Sequence, residues 1–200
     1  MAALALGLGG CAGDQGIAGG GRVHGKTLTV YSVEPNPVAP PTLDSVRGEQ
    51  LALADAKGRV GSFAVTFVSL DSGRGNPVQA AEAVRRAVSD PKIIAAIAVA
   101  TRVTVPLMNE AGTLQVAVSG DDALGTQPRL TPSGHPTLAP VRGAAGPPPG
   151  FDRRFRAAYG HAPTAAALRG YRAMRAILDA VRRAGRHGND RRAVIDAYGV

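Results

Sequence analysis

The groups able to do chemistry in this 200-residue chain are few, and their spacing does not suit catalysis. The four histidines, His24, His135, His161 and His187, have no ligand spacing with one another. Asp121 and Asp122 could together hold a cation, but adjacent acids in a loop are commonly turn residues. There is no Gly-x-x-x-x-Gly-Lys-Ser/Thr phosphate loop and no Gly-x-Ser-x-Gly elbow. Gly19-Gly20-Gly21 comes before the first apolar strand instead of after it, so it is no dinucleotide fingerprint. That strand ends in Tyr31-Ser32-Val33, where a phosphoacceptor domain would need an acidic pair. The expectation is a protein that is not an enzyme and uses neither cofactor nor metal.

Cys11 is the single cysteine, which excludes an internal disulfide. It follows the apolar stretch Ala2–Leu8 in the context Leu8-Gly9-Gly10-Cys11. Small residues before a cysteine at that place form a lipobox, whose thiol takes a diacylglycerol. The stretch is too short to span a bilayer. Residues 1–27 thus read as a signal with a lipidation site at Cys11, followed by a Gly-rich flexible tether. The expected location is extracytoplasmic, on the membrane through a lipid anchor.

Beyond the tether the apolar pattern alternates between two periods. Leu28–Val33, Phe63–Leu70, Ile93–Val99 and Leu114–Val118 are short runs apolar on both faces. Such runs suit strands buried under helices on either side. Between them, Leu43–Ala56, Val78–Val88 and Val103–Ala111 have helical spacing, with Val46, Leu53 and Ala54 expected on the buried face of the first and Ala81, Val84 and Val88 on that of the second. Gly112 is placed to end the third. Glu34–Pro41 holds four prolines and reads as a loop, as does Asp71–Pro77. Late in the chain, Asp152–Tyr159, Ala165–Ala184 and Asp190–Ala197 read as helices. Leu168, Tyr171, Met174, Leu178 and Val181 form the stripe of the longest, Gly185 ends it, and Asn189 or Asp190 caps the last. Strand–helix alternation argues for right-handed crossovers and a parallel sheet.

Composition bounds the remainder. The apolar fraction is 44% but aromatics are only 4%, so the core must be mainly Ala, Val, Leu and Ile. The formal charge is +8, and residues 151–200 hold eleven arginines against four aspartates. Those arginines lie on helical patterns without interleaved aromatics or a nucleic-acid motif, so they read as a solvated face and not as a nucleic-acid surface.

Several segments, in order, resemble the branched-chain amino acid ABC-transporter solute-binding proteins, which have the type I periplasmic-binding-protein fold. Leu28-Thr-Val-Tyr-Ser32 is similar to the family's opening strand, Gly48-Glu-Gln-Leu-Ala-Leu-Ala54 to its first helix, and Val65–Asp71 to its second strand. Pro106-Leu-Met-Asn-Glu-Ala-Gly112 with Leu114-Gln-Val116 is the most specific match, and Pro132-Ser-Gly134 with Thr137 resembles the approach to the first hinge. Tyr159-Gly160, Pro163, Gly170-Tyr171, Ala173-Met174 and Leu178-Asp179-Ala180 resemble a much later helix, reached after the short Gly/Pro linker 142–150.

The resemblance implies one α/β lobe made of 28–141 and 151–199, with linker 142–150 replacing most of a second lobe. It implies a parallel sheet flanked by helices on both faces. In order of strands the sheet would run 2-1-3-4, with Thr137–Val141 as a fifth. The implied function is capture of an amino acid or similar small polar solute for an ABC permease, impaired by the missing lobe. The alternative is a one-lobed remnant acting as a non-binding or protein-interaction module. By position in the family's loops, Ser119, Asp121 and Thr101 are the implied ligand-binding residues. An Asp there would repel a solute carboxylate and attract an ammonium.

Overall fold

The structure, a computed structural model, describes residues 21–120, 137–141 and 146–199. Cys11, Asp121, Asp122, Pro132–Gly134, the first part of the tether and linker residues 142–145 lie outside the described residues.

Six strands form one sheet in the order β2-β3-β1-β4-β5-β6. β1 (Thr27–Glu34), β3 (Phe63–Asp71), β4 (Ile93–Ala100), β5 (Leu114–Gly120) and β6 (Leu138–Pro140) are all parallel to their neighbours. The order of these five is the one expected from the strand–helix alternation and the resemblance. β2 (Arg59–Val60) is an addition, an antiparallel edge paired with the start of β3. Two residues give no periodicity, so nothing in the sequence announced it. Its turn uses Gly61 at φ +55°, a conformation that favours glycine.

Both faces are covered, as the two-sided apolar runs require. Leu28 and Val30 of β1 face one layer, where they meet α1 (Thr42–Asp55), α4 (Phe151–Tyr159), α5 (Ala165–Arg183) and α6 (Arg191–Gly199). Tyr31 and Val33 face the other, against α2 (Pro77–Val88) and α3 (Thr104–Glu110). The side-chain period of two in a strand makes this split automatic. Ile93, Ile94 and Ile97 of β4 are all fully buried. Each such side chain contributes about 1.5–3 kcal/mol over leaving it in water.

The chain beyond residue 150 completes the first layer. Phe151 and Phe155 are buried and stack in a tilted pair, and Tyr171 of α5 meets Phe151 edge-on. A chain with only eight Phe and Tyr residues thus spends half of them where α4 meets α5 and α1. Asn189 and Val23 exchange hydrogen bonds of 2.7 and 2.8 Å, tying the approach to α6 to the approach to β1. Several late arginines serve this packing. Arg154 pairs with Asp55 at 3.3 Å, and Arg191 donates to the Ile93 carbonyl at 2.9 Å.

The helix ends follow local chemistry. Asn76 Oδ1 accepts from Val78 and Gln79 backbone N–H groups, with Pro77 at the first helical position. Thr164 caps α5, and Asp190 caps α6 by accepting from Arg192 and Ala193. Gly112 and Gly185, at φ +59° each, end α3 and α5 as expected. Two buried faces differ from expectation. On α1 the buried side includes Ser45, Val46, Gly48, Glu49 and Ala52, while Ala54 is exposed and Leu53 half-buried. On α2 it is Ala83, Val84 and Ala87 that are buried, with Ala81 and Val88 at its margins. The reason on α1 is its partner: α5 crosses it so closely that glycine and polar residues, not large apolar ones, occupy the seam.

Candidate functional site

All the parallel strands point their carboxyl ends to one edge, where loops are free to shape a binding surface. Two clefts adjoin there and share Pro35 and Val99. The smaller, about 100 Å³, is lined by Glu34, Thr42, Ser45, Ser119 and Arg169 among others. The larger, about 210 Å³, is bounded by Asn76, Pro77, Thr101, Val103 and Thr104. Their rim is tied down by Asp71. Its Oδ1 accepts from the backbone N–H groups of Asn36 and Gly73, both at 2.8 Å. These two bonds hold the Asp71 carboxyl below its ordinary pKa.

Under the smaller cleft lies a pair of acids. Strand parity carries Leu28, Val30, Ser32 and Glu34 onto the α1 side of the sheet. On α1, Ser45 and Glu49 are one turn apart and face the sheet together. The four polar groups therefore converge. Glu34 Oε1 accepts from the Ser45 hydroxyl at 3.0 Å and the Ser32 hydroxyl at 3.4 Å. Glu34 is 5% exposed and Glu49 is 0% exposed. Burial raises both carboxyls above the ordinary range, Glu49 far more. Glu34's nearby charge raises Glu49 further; Glu49, Ser45, Ser32 and Arg169 act in the lowering direction on Glu34, and Ser32 and Ser45 act so on Glu49 as well. Neither Glu49 oxygen accepts a hydrogen bond. Burial and the neighbouring acid both work against an ionised Glu49, while the two hydroxyls in hydrogen-bond reach converge on Glu34 Oε1.

The residues singled out from the sequence fall on both clefts. Ser119 is exposed at the end of β5, opposite Val99 in the parallel register, and lines the smaller cleft. Thr101 follows β4 and lines the larger cleft. Its hydroxyl accepts from Val103 and Thr104 N–H groups at 3.2 and 3.0 Å, and its own N–H donates to Thr104 Oγ1. That reciprocal arrangement starts α3 and occupies the hydroxyl that the resemblance offered to a ligand. Thr104 Oγ1 in turn donates to the Val99 carbonyl at 2.8 Å, where the β4–β5 register shifts. Asp121 lies outside the described residues. Among those described, no three His, Cys, Asp or Glu side chains group as metal ligands.

Sequence reasoning passed over Glu34, Glu49 and Arg169. Glu34 reads as the first residue of a proline loop, although the Leu28–Val30–Ser32 parity already points it inward. Ser45 and Glu49, four apart on the helix, were the matching signal.

No protein-family model matches the chain, and no curated protein matches it in sequence. Solved structures do match in fold. A branched-chain amino acid ABC transporter protein from Rhodospirillum rubrum aligns at 16% identity and TM-score 0.66, over 86% of this chain and 88% of that one. The LivJ substrate-binding protein of Streptococcus pneumoniae, in complex with isoleucine, aligns at 12% identity and TM-score 0.66, over 86% and 88%. A solute-binding protein from Rhodopseudomonas palustris, in complex with 3,4-dihydroxybenzoic acid, aligns at 10% identity and TM-score 0.67, over 86% and 85%. No helix among the described residues is long and apolar enough to cross a membrane. With its parallel sheet, two helical layers and clefts at the strand ends, this chain has the fold of a single lobe of a periplasmic binding protein, of the kind found in branched-chain amino acid transporters.

Proposed function

We propose that the chain is an extracytoplasmic solute-binding component of an ABC importer, holding an amino acid or similar small polar solute at the paired clefts. The observation that carries this reading is the coincidence of the binding-protein fold with two adjoining clefts, one of mixed polarity and one mainly apolar, at the carboxyl ends of β1, β4 and β5. Ser119 offers a hydroxyl in the smaller cleft, and Asp121 follows shortly after it in sequence. Thr101 shapes the larger cleft through the start of α3.

The linker 142–150, in this reading, stands in place of most of a second lobe, so the solute is held from one side. In two-lobed relatives, closure of the lobes encloses the solute and strengthens each polar contact. Losing two or three charge-assisted hydrogen bonds, at about 1.5–3 kcal/mol each, removes roughly two decades of affinity or more. Titration of protein of known mass with an amino acid panel is therefore expected to give dissociation constants of about 1 mM. Sub-micromolar affinity of the monomer would refute the one-sided cleft. Complete absence of binding would turn the reading toward a protein-interaction module.

Cys11 belongs to the same proposal as a lipid anchor, with the permease as the membrane partner. Expressed with its native leader, the protein is expected to enter the detergent phase on Triton X-114 partitioning, and Cys11→Ser to leave it for the aqueous phase. Equal partitioning of the two forms would remove the anchor from the proposal.

A further inference from the structure

The similar structures hold isoleucine in one case and a dihydroxybenzoate in another, so the fold leaves the charge of the solute open. In this chain the smaller cleft is not neutral on that question. Glu34 forms its floor, and both hydroxyls that reach it, from Ser32 and Ser45, bond the same oxygen, Oε1. Oε2 is left for a further donor. A group entering the cleft can supply one. Glu49 is fully buried behind Glu34, where burial and the neighbouring acid work against a second negative charge. Glu34 is the acid of the two that reaches the cleft.

A carboxylate withdrawn from water gains most from a cationic donor, since charge-assisted hydrogen bonds are the strong ones. The same carboxylate opposes a second anion beside it. Arg169 lines the same cleft from α5, is exposed, and acts favourably on the charge of Glu34. The floor is thus negative and the lip positive. The apolar wall shared with the larger cleft, Pro35 and Val99, offers room for a short hydrocarbon part. About 100 Å³ holds only about three waters' worth of solute, so the head group alone fits the polar end.

We infer that Glu34 is an ammonium-binding residue and that this lobe selects small amine-bearing solutes over solutes whose only charge is a carboxylate. Arg169 adds a place for a carboxylate when the solute carries both charges. The inference rests on the solute-capture reading above and narrows it. Ser32 and Ser45 are positioning residues that aim the carboxylate.

The test is amide NMR titration of the full chain at neutral pH with four probes: propylamine, L-alanine, propionate and benzoate. Propylamine and alanine are expected to shift the amides of Ser45, Val99, Ser119 and Ala166. Propylamine should bind at least about tenfold more tightly than propionate, the value of one charge-assisted hydrogen bond. Glu34→Gln should cost propylamine about that factor and leave propionate unchanged or improved. Arg169→Ala should weaken alanine and spare propylamine. Glu49→Gln, which does not line the cleft, should keep the ranking of the probes. The comparison of propylamine with propionate needs only the unaltered protein, so it stands even where a variant fails to fold. Propionate or benzoate binding as well as propylamine at these amides would overturn the inference while leaving solute capture intact. No shift at the cleft with any probe would overturn both.

Discussion

Replacing Gly170 with alanine is expected to lower the melting temperature by about 2–12 °C, and Gly48→Ala by a similar amount. The two glycines form the crossing of α1 and α5. A Cβ on Gly170 would lie 2.1 Å from the Ser45 carbonyl oxygen, and one on Gly48 2.0 Å from that of Ala167. Each meets backbone, which no rotamer change can relieve. The helices must move apart, and overpacking of this sort costs about 1–3 kcal/mol. In a chain of this size each kcal/mol corresponds to about 2–4 °C. The effects should be less than additive, because one separation accommodates both methyl groups. Gly146→Ala is the control: its Cβ would meet nothing within 4 Å. Thermal melts followed by circular dichroism decide it. A Gly170→Ala protein that melts with the parent would mean that the two helices do not cross at these residues. The same separation would carry Ser45 away from Glu34, so solute binding should fall along with stability.

Glu49→Gln is expected to raise the melting temperature by about 2–12 °C at pH 8 and to bring no gain at pH 4. The sign follows from the direction of the shift. Glu49 has its folded-state pKa raised well above the ordinary value, chiefly by burial and then by the charge of Glu34. In the unfolded chain it ionises near pH 4.3. Below that value both states carry the proton and its stabilising contribution is complete. As pH rises toward the folded-state pKa, the unfolded chain ionises freely while the folded one must keep its proton, so stability is lost through that window. Glutamine has nothing to ionise and can still donate toward Glu34. It avoids a penalty of the order of a buried unsatisfied polar group, about 1–3 kcal/mol, which converts to the range above. A pH series of melts on both proteins is the measurement. A Gln variant less stable at every pH would show that an ionised Glu49 is paired in the folded protein.

The two predictions meet at one seam, and that seam marks the limit of what sequence reasoning reached. The apolar runs from Leu28–Val33 to Leu114–Val118 and the helical spacing between them were enough to read four parallel strands under helices on both faces, and the resemblance added the fifth strand at Thr137–Val141. Caps and stops at Gly112, Gly185 and Asp190 were equally legible, because each depends on a few neighbouring residues. The family resemblance was legible too, since it rests on the order of short local segments. Ser119 and Thr101 lie at strand ends, but the hydroxyl of Thr101 is turned to the start of α3, a choice between backbone and ligand that the side chain's identity does not make.

Local pattern determined which segments are strands and helices, because periodicity is a property of neighbours along the chain. Only the tertiary structure decided that α5 lies on α1 at glycine-to-backbone distance. That closeness places polar Ser45 and Glu49 in a seam that spacing alone assigned to apolar residues. It also brings Arg169 from far along the chain to the lip above Glu34. Burial then sets the charges: a carboxylate's proton depends on the water and partners around it, and those are supplied by elements that sequence separates and folding joins.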